Sequence, residues 1–128
     1  KCYWIKNDNN NRKLIIKELS EGLSVMTEKD LNDQNDIKIK HYHELFSSLQ
    51  VPDPSRNNWD DWENQLTNYE NKNLGENRSI CFIDRTKNYG TKSSSIIAIP
   101  KKSLSGRKVI FKSTKNLPLN KNYTDVII

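Results

Sequence analysis

Arg85-Thr86-Lys87-Asn88-Tyr89-Gly90-Thr91-Lys92-Ser93-Ser94-Ser95-Ile96-Ile97-Ala98-Ile99-Pro100 is the stretch whose reading decides the fold. A polar turn ends in Tyr89-Gly90-Thr91, three serines follow, and then a dense apolar strand. Gly90 permits a sharp turn or a close backbone approach. The hydroxyls of Thr91, Ser93, Ser94 and Ser95 would line the mouth of a buried strand, and strand-end loops are where sites usually lie. Ile96 to Ile99 is apolar at every position instead of alternating, which predicts burial on both faces. This chain offers helices for one covering layer only, so a second layer is expected from outside it.

Working outward, Cys2 to Ile5 and Lys13 to Leu19 read as two strands joined by turn formers, a β-hairpin. Ser20-Glu21-Gly22 is a further turn, followed by the short apolar piece Leu23 to Met26. Ile39, Tyr42, Leu45, Phe46 and Leu49 fall on one face of a helix that Asn35 or Asp36 can cap. Val51-Pro52-Asp53-Pro54 ends it, because proline cannot continue the hydrogen-bond ladder. Trp59, Trp62, Leu66 and Tyr69 form the apolar stripe of a second helix, with Asn58 as N-cap. Asp60, Asp61 and Glu63 fall in its first turn, where the helix dipole favours them. This stripe is read as the face that docks on a sheet, not as a platform for stacking bases. Strands are expected again at Ser79 to Asp84, Ser93 to Ile99, Lys108 to Lys112 and Tyr123 to Ile128, with a turn at Ser105-Gly106. Strands, two helices, then strands predict an α+β layer: an antiparallel sheet with two helices on one face.

The chain has 128 residues, which fits one domain or part of one. Its net charge is +5, but the excess is dispersed lysine, mildly concentrated at Lys101, Lys102, Arg107, Lys108, Lys112, Lys115 and Lys121. Nucleic-acid recognition favours clustered Arg and Lys interleaved with aromatics. A solvated surface is therefore the expectation, and a basic nucleic-acid-binding module the alternative. No apolar run approaches the roughly 18 residues of a membrane span. Cys2 and Cys81 lack CxxC spacing and read as reduced, buried thiols of a cytoplasmic protein. His41 and His43 are two apart and would point in different directions on a helix, which argues against a shared metal. No cofactor and no metal are expected, because there is no glycine-rich phosphate loop and no Cys/His cluster. The apolar pattern begins at residue 2 without a lead-in, so an N-terminal portion is expected before Lys1.

Several landmarks occur in a particular order. They are Tyr3-Trp4-Ile5, Glu21 to Thr27, Asp30-Leu31-Asn32-Asp33, Pro52-Asp53-Pro54 with Trp59-Asp60-Asp61-Trp62, and Tyr89 to Ser95. In that order they resemble the C-terminal half of the NRDE (transport and Golgi organisation protein 2-like) family, its bacterial branch most of all. The resemblance covers most of residues 1–128 and implies a single, partial domain. It implies an N-terminal-nucleophile-hydrolase-like αββα sandwich whose missing N-terminal half would cover the second face of the buried strand. It also implies a role in lipid, acyl or haem handling, with a small acyl, lipid or haem ligand as partner. Asn32, Tyr89, Thr91 and Lys92 are the pocket-edge candidates.

An N-terminal cysteine of such enzymes attacks an amide with its own α-amine as base. That cysteine and the name-giving Asn-Arg-Asp-Glu run belong to the other half. Here Lys1 blocks the amine of Cys2, which is read as a core thiol, so no catalytic residue is assigned. An amidase whose N-terminal Cys lies outside this chain is the alternative. Two departures weaken it. Glu28 stands where related amidases place an Asn, and a carboxylate repels a developing oxyanion. Lys92 replaces the family's Arg, keeping the charge but losing its fork geometry.

Overall fold

The computed structural model describes residues 1–8, 13–69, 78–101, 106–116, 118 and 121–127. The expected hairpin turn at 9–12, and Lys102, Ser105 and Ile128, lie outside the described residues. The architecture is α+β, with small antiparallel sheets and two helices. The chain divides into two compact units, Lys1–Ser48 and Leu49–Ile128. Among the described residues, no helix is long and apolar enough to cross a membrane.

In the first unit, β1 (Tyr3–Asp8) pairs antiparallel with β2 (Lys13–Glu18), Ile5 facing Ile16. Side chains alternate across the ladder. One face carries Tyr3, Ile5, Leu14 and Ile16, all exposed. The other carries Trp4 and Lys6, and the following loop crosses it. The Trp4 indole N–H donates to the Met26 sulfur at 3.2 Å, and the Lys6 ammonium pairs with Asp30. Helix α1 (Ile37–Ser48) begins where expected. Asp36 is the cap, its carboxylate accepting from the Ile39 amide at 2.8 Å. Ile39 and Tyr42 are buried along this helix, as the periodicity predicts. Cys2 differs from its expected place: it precedes β1 and is exposed, because a two-stranded hairpin has no interior to bury it in.

In the second unit, a 3-10 turn (Pro54–Arg56) leads into helix α2 (Asp60–Leu66). Four short strands β3 (Ile83–Asp84), β4 (Tyr89–Gly90), β5 (Ser95–Ala98) and β6 (Ile110–Thr114) follow, and β7 (Tyr123–Asp125) closes the order. Helix α2 is shorter than its stripe. The Thr67 hydroxyl donates back to the Glu63 carbonyl at 2.9 Å, and the Asn68 amide tightens to Gln65, so Tyr69 is left half-exposed outside the helix. Trp59 occupies the N-cap position in place of Asn58, without a side-chain cap bond. Asn58 instead pairs its backbone with Asp53, closing the loop before the helix.

The buried line along α2 also differs from the expected stripe. It runs through Trp59, Glu63 and Thr67, whereas Trp62 is only half-buried. Glu63 faces inward because a partner waits there. The Lys112 ammonium of β6 donates to the Glu63 carboxylate at 2.9 Å, with side-chain exposures of 15% and 11%. The same ammonium lies 5.4 Å from the centre of the Trp59 ring, a cation–π contact. A lysine expected in solvent thus anchors the helix to the sheet.

The sheet order is β5-β6-β7, all antiparallel. Ile96 faces Lys112, and Ala98 faces Ile110, on the side that meets α2. Ile97 faces Phe111 on the opposite side. Ile96 is 7% exposed, but Ile97 is 58% and Ile99 77% exposed. Among the described residues, one face of β5 is covered and the other is open. Val109 and Val126 continue the outward apolar side, and the Val126 amide is tied to the Phe111 carbonyl at 2.7 Å.

Trp59→Ala is expected to cost about 3–5 kcal/mol, the usual range for a buried Trp. Trp62→Ala should cost less. Urea unfolding of the two variants checks the order, and a larger loss at Trp62 would contradict the buried line drawn here.

Candidate functional site

The segment around Tyr89-Gly90-Thr91 is a hairpin built from its own polar groups. Asp84 accepts from the Thr86 hydroxyl at 2.6 Å and from the Thr86 amide at 2.9 Å. These bonds, led by that of the Thr86 hydroxyl, hold the Asp84 carboxyl below the ordinary carboxylate value. Asn88 takes the left-handed conformation that the turn requires. β3 and β4 then pair, Ile83 facing Gly90. Gly90 is needed for close approach: a Cβ there would lie 2.4 Å from the Phe82 carbonyl oxygen.

Thr91 completes the clamp. Its amide donates to the Phe82 carbonyl at 2.7 Å, and its hydroxyl accepts from the Phe82 amide at 3.0 Å. The same hydroxyl donates to the Ile80 carbonyl at 3.3 Å. Tyr89 is exposed, with its ring 6.1 Å from that of Phe82, and Lys92 is exposed beyond it. Asn32 belongs to the first unit. It bridges to Val25, accepting from the Val25 amide at 2.7 Å through its side chain and donating its own amide to the Val25 carbonyl. Its φ of 55° is left-handed, which asparagine tolerates. Tyr89, Thr91 and Lys92 are therefore adjacent on one hairpin, while Asn32 organises a separate loop.

The serines after the hairpin set strand register. The Ser94 amide donates to the Thr114 hydroxyl at 2.9 Å, and the Thr114 amide donates back to the Ser94 carbonyl at 2.9 Å. The Tyr123 hydroxyl donates to the Ser94 hydroxyl at 2.8 Å. Burial there raises the Tyr123 phenol above its ordinary value. Ser95 and Ser113 share a hydroxyl–hydroxyl bond of 2.9 Å across β5 and β6. Ser93 remains exposed.

A concave site lies at the far end of the same strands. A groove of about 600 Å³ is lined by Pro54 and Ser55 of the 3-10 turn, by Ala98, Ile99, Pro100 and Lys101, and by Arg107, Lys108 and Ile110. Its volume falls within the roughly 300–1,000 Å³ of small-molecule sites. The floor is aliphatic. Lys101, Arg107 and Lys108 are among its lining residues, and none of the described residues that line it carries a carboxylate. The nearby Asp53 carboxylate is bonded to the Ser55 amide and hydroxyl, at 2.9 and 2.6 Å. Sequence reasoning placed these cations on the surface but not around a groove. The available signal was that Pro100-Lys101 and Arg107-Lys108 flank the turn between two expected strands.

Neither a family model, nor a curated protein, nor a solved structure matches this chain.

Cys81 is buried, and burial pushes its thiol above the ordinary value near 9.0. The folded chain holds that proton where the unfolded chain releases it. This contribution to stability is thus complete below about pH 9.0 and declines as pH rises further. Cys2 is expected to label with a maleimide within minutes at neutral pH, and Cys81 only on unfolding. Chemical denaturation should show an alkaline loss of stability that Cys81→Ala reduces. Equal labelling of both thiols in the native protein would contradict the burial of Cys81.

Proposed function

We propose that this chain is the ligand-holding C-terminal part of an NRDE-type protein, with an N-terminal-nucleophile-hydrolase-like sandwich completed by a further half. It handles an acyl, lipid or haem ligand and has no catalysis of its own. The observation that carries this reading is the aliphatic groove lined by three cationic residues, with no carboxylate among the described residues that line it. A site of that composition favours a ligand that is largely apolar and carries negative charge.

Three further observations support it. The ordered landmarks from Tyr3 to Ser95 resemble that family. The outward side of the β5-β6-β7 sheet, at Ile97, Val109 and Val126, is exposed, as expected of a sheet meant to meet a second one. The two cysteines are unbridged, which fits a reducing, cytoplasmic setting.

The chemistry of residue 2 speaks against N-terminal-nucleophile catalysis by Cys2. The amine of Cys2 is tied up in its peptide bond to Lys1, so it cannot serve as the base of an N-terminal nucleophile. The Thr91 hydroxyl already accepts from one backbone group and donates to another.

The purified 128-residue chain should therefore bind acyl-chain ligands or haemin but leave acyl-amide substrates unhydrolysed over hours. Equilibrium titration and a chromatographic hydrolysis assay check both halves of that expectation. Turnover that Cys2→Ala abolishes would overturn the non-catalytic reading.

A further inference from the structure

The composition of the groove discriminates among the ligands just named. Haem is held in proteins by His, Cys, Met or Tyr on its iron. The described lining residues are Pro54, Ser55, three aliphatic side chains, Pro100 and three cations, and none of these can ligate iron. A two-chain lipid would need more space than a groove of about 600 Å³ offers. An extended alkyl chain ending in one anion matches both parts of the site. Its methylenes would lie against Pro54, Ile99 and Ile110, and its carboxylate would meet Arg107 and Lys108. Arg107 offers the planar fork that suits a carboxylate, and Lys108 adds a point charge beside it.

We infer that the groove between the Pro54–Arg56 turn and the ends of β5 and β6 binds a single-chain fatty acid through its free carboxylate. This inference rests on the ligand-holding reading above and narrows it to one ligand class. Ile99 is 77% exposed, so an empty groove leaves that side chain in water. An alkyl chain covering it would remove apolar surface on both sides. Each methylene bound in this way contributes a similar increment. Affinity should therefore climb with chain length, about two- to fourfold per added methylene.

The test uses the whole 128-residue chain and isothermal titration below the micelle threshold, with five probes: decanoate, laurate, palmitate, methyl palmitate and haemin. Pelleting with phosphatidylglycerol vesicles forms a separate arm. The expected result is binding that tightens from decanoate to palmitate and is lost for the methyl ester. Arg107→Glu combined with Lys108→Glu should weaken palmitate about tenfold or more, because a charge-assisted contact becomes a repulsion. Ile99→Asp should weaken it too, and because Ile99 is exposed in the free protein the fold should survive, which circular dichroism can verify. Haemin binding without fatty-acid binding would overturn this inference while leaving the broader reading intact. No binding of any probe would overturn both. Vesicle binding without free fatty-acid binding, or equal affinity for acid and ester, would also overturn it.

Discussion

The second unit of this protein is organised around one buried charge. The Lys112 ammonium projects from the middle of β6 toward α2, where the Glu63 carboxylate and the face of Trp59 receive it. Bringing two charges out of water is costly, and the cost is recovered only with good geometry and additional partners. Here the 2.9 Å ion pair supplies the geometry, and the indole supplies a second favourable surface for the cation. Once Lys112 is fixed, so is the face that β6 presents. Ile96 and Ala98 of β5 take the helix side, and Ile97 and Phe111 are turned outward, because alternation leaves no other choice.

Much of this fold was legible in the sequence, and its misreadings share a cause. The first hairpin and the Asp36 cap of α1 follow from local chemistry, and local chemistry is what a sequence displays. The inward line of α2 was displaced because hydropathy ranks Trp62 and Leu66 above Glu63. Only the tertiary position of Lys112 makes a glutamate the better buried residue. The apolar run Ile96 to Ile99 was read as needing a cover from outside this chain, and among the described residues Ile97 and Ile99 are indeed left exposed. Hydrophobicity records what a strand can bury, and the partner that buries it need not be in the same stretch of chain.

The hydroxyl-rich segment shows a different limit. Thr91, Ser94 and Ser95 stand where a site was expected, and the structure uses the Thr91 hydroxyl to bond the Phe82 amide and those of Ser94 and Ser95 to bond the hydroxyls of Tyr123 and Ser113. Strands of only two to five residues have few ladder bonds, so side-chain bonds help hold their register. From sequence, a hydroxyl that binds a ligand and one that pins a strand look alike. The groove was hidden for the opposite reason. Its residues come from the turn at Pro54 and Ser55 and, far along the chain, from the two ends of the β5–β6 hairpin, which the pairing of Ala98 with Ile110 joins. The same strand β6 thus carries the anchor at Lys112 and a wall of the groove at Ile110.

The claim that this inner ion pair organises the unit is tested most directly by a double-mutant cycle. Glu63→Gln, Lys112→Gln and the double variant would be compared by urea unfolding, so that the pair's own coupling is separated from the cost of each change. The account predicts a coupling of about 2 kcal/mol or more, with the double variant recovering much of the loss of either single one. A coupling below about 0.5 kcal/mol, typical of a solvent-exposed pair, would contradict it.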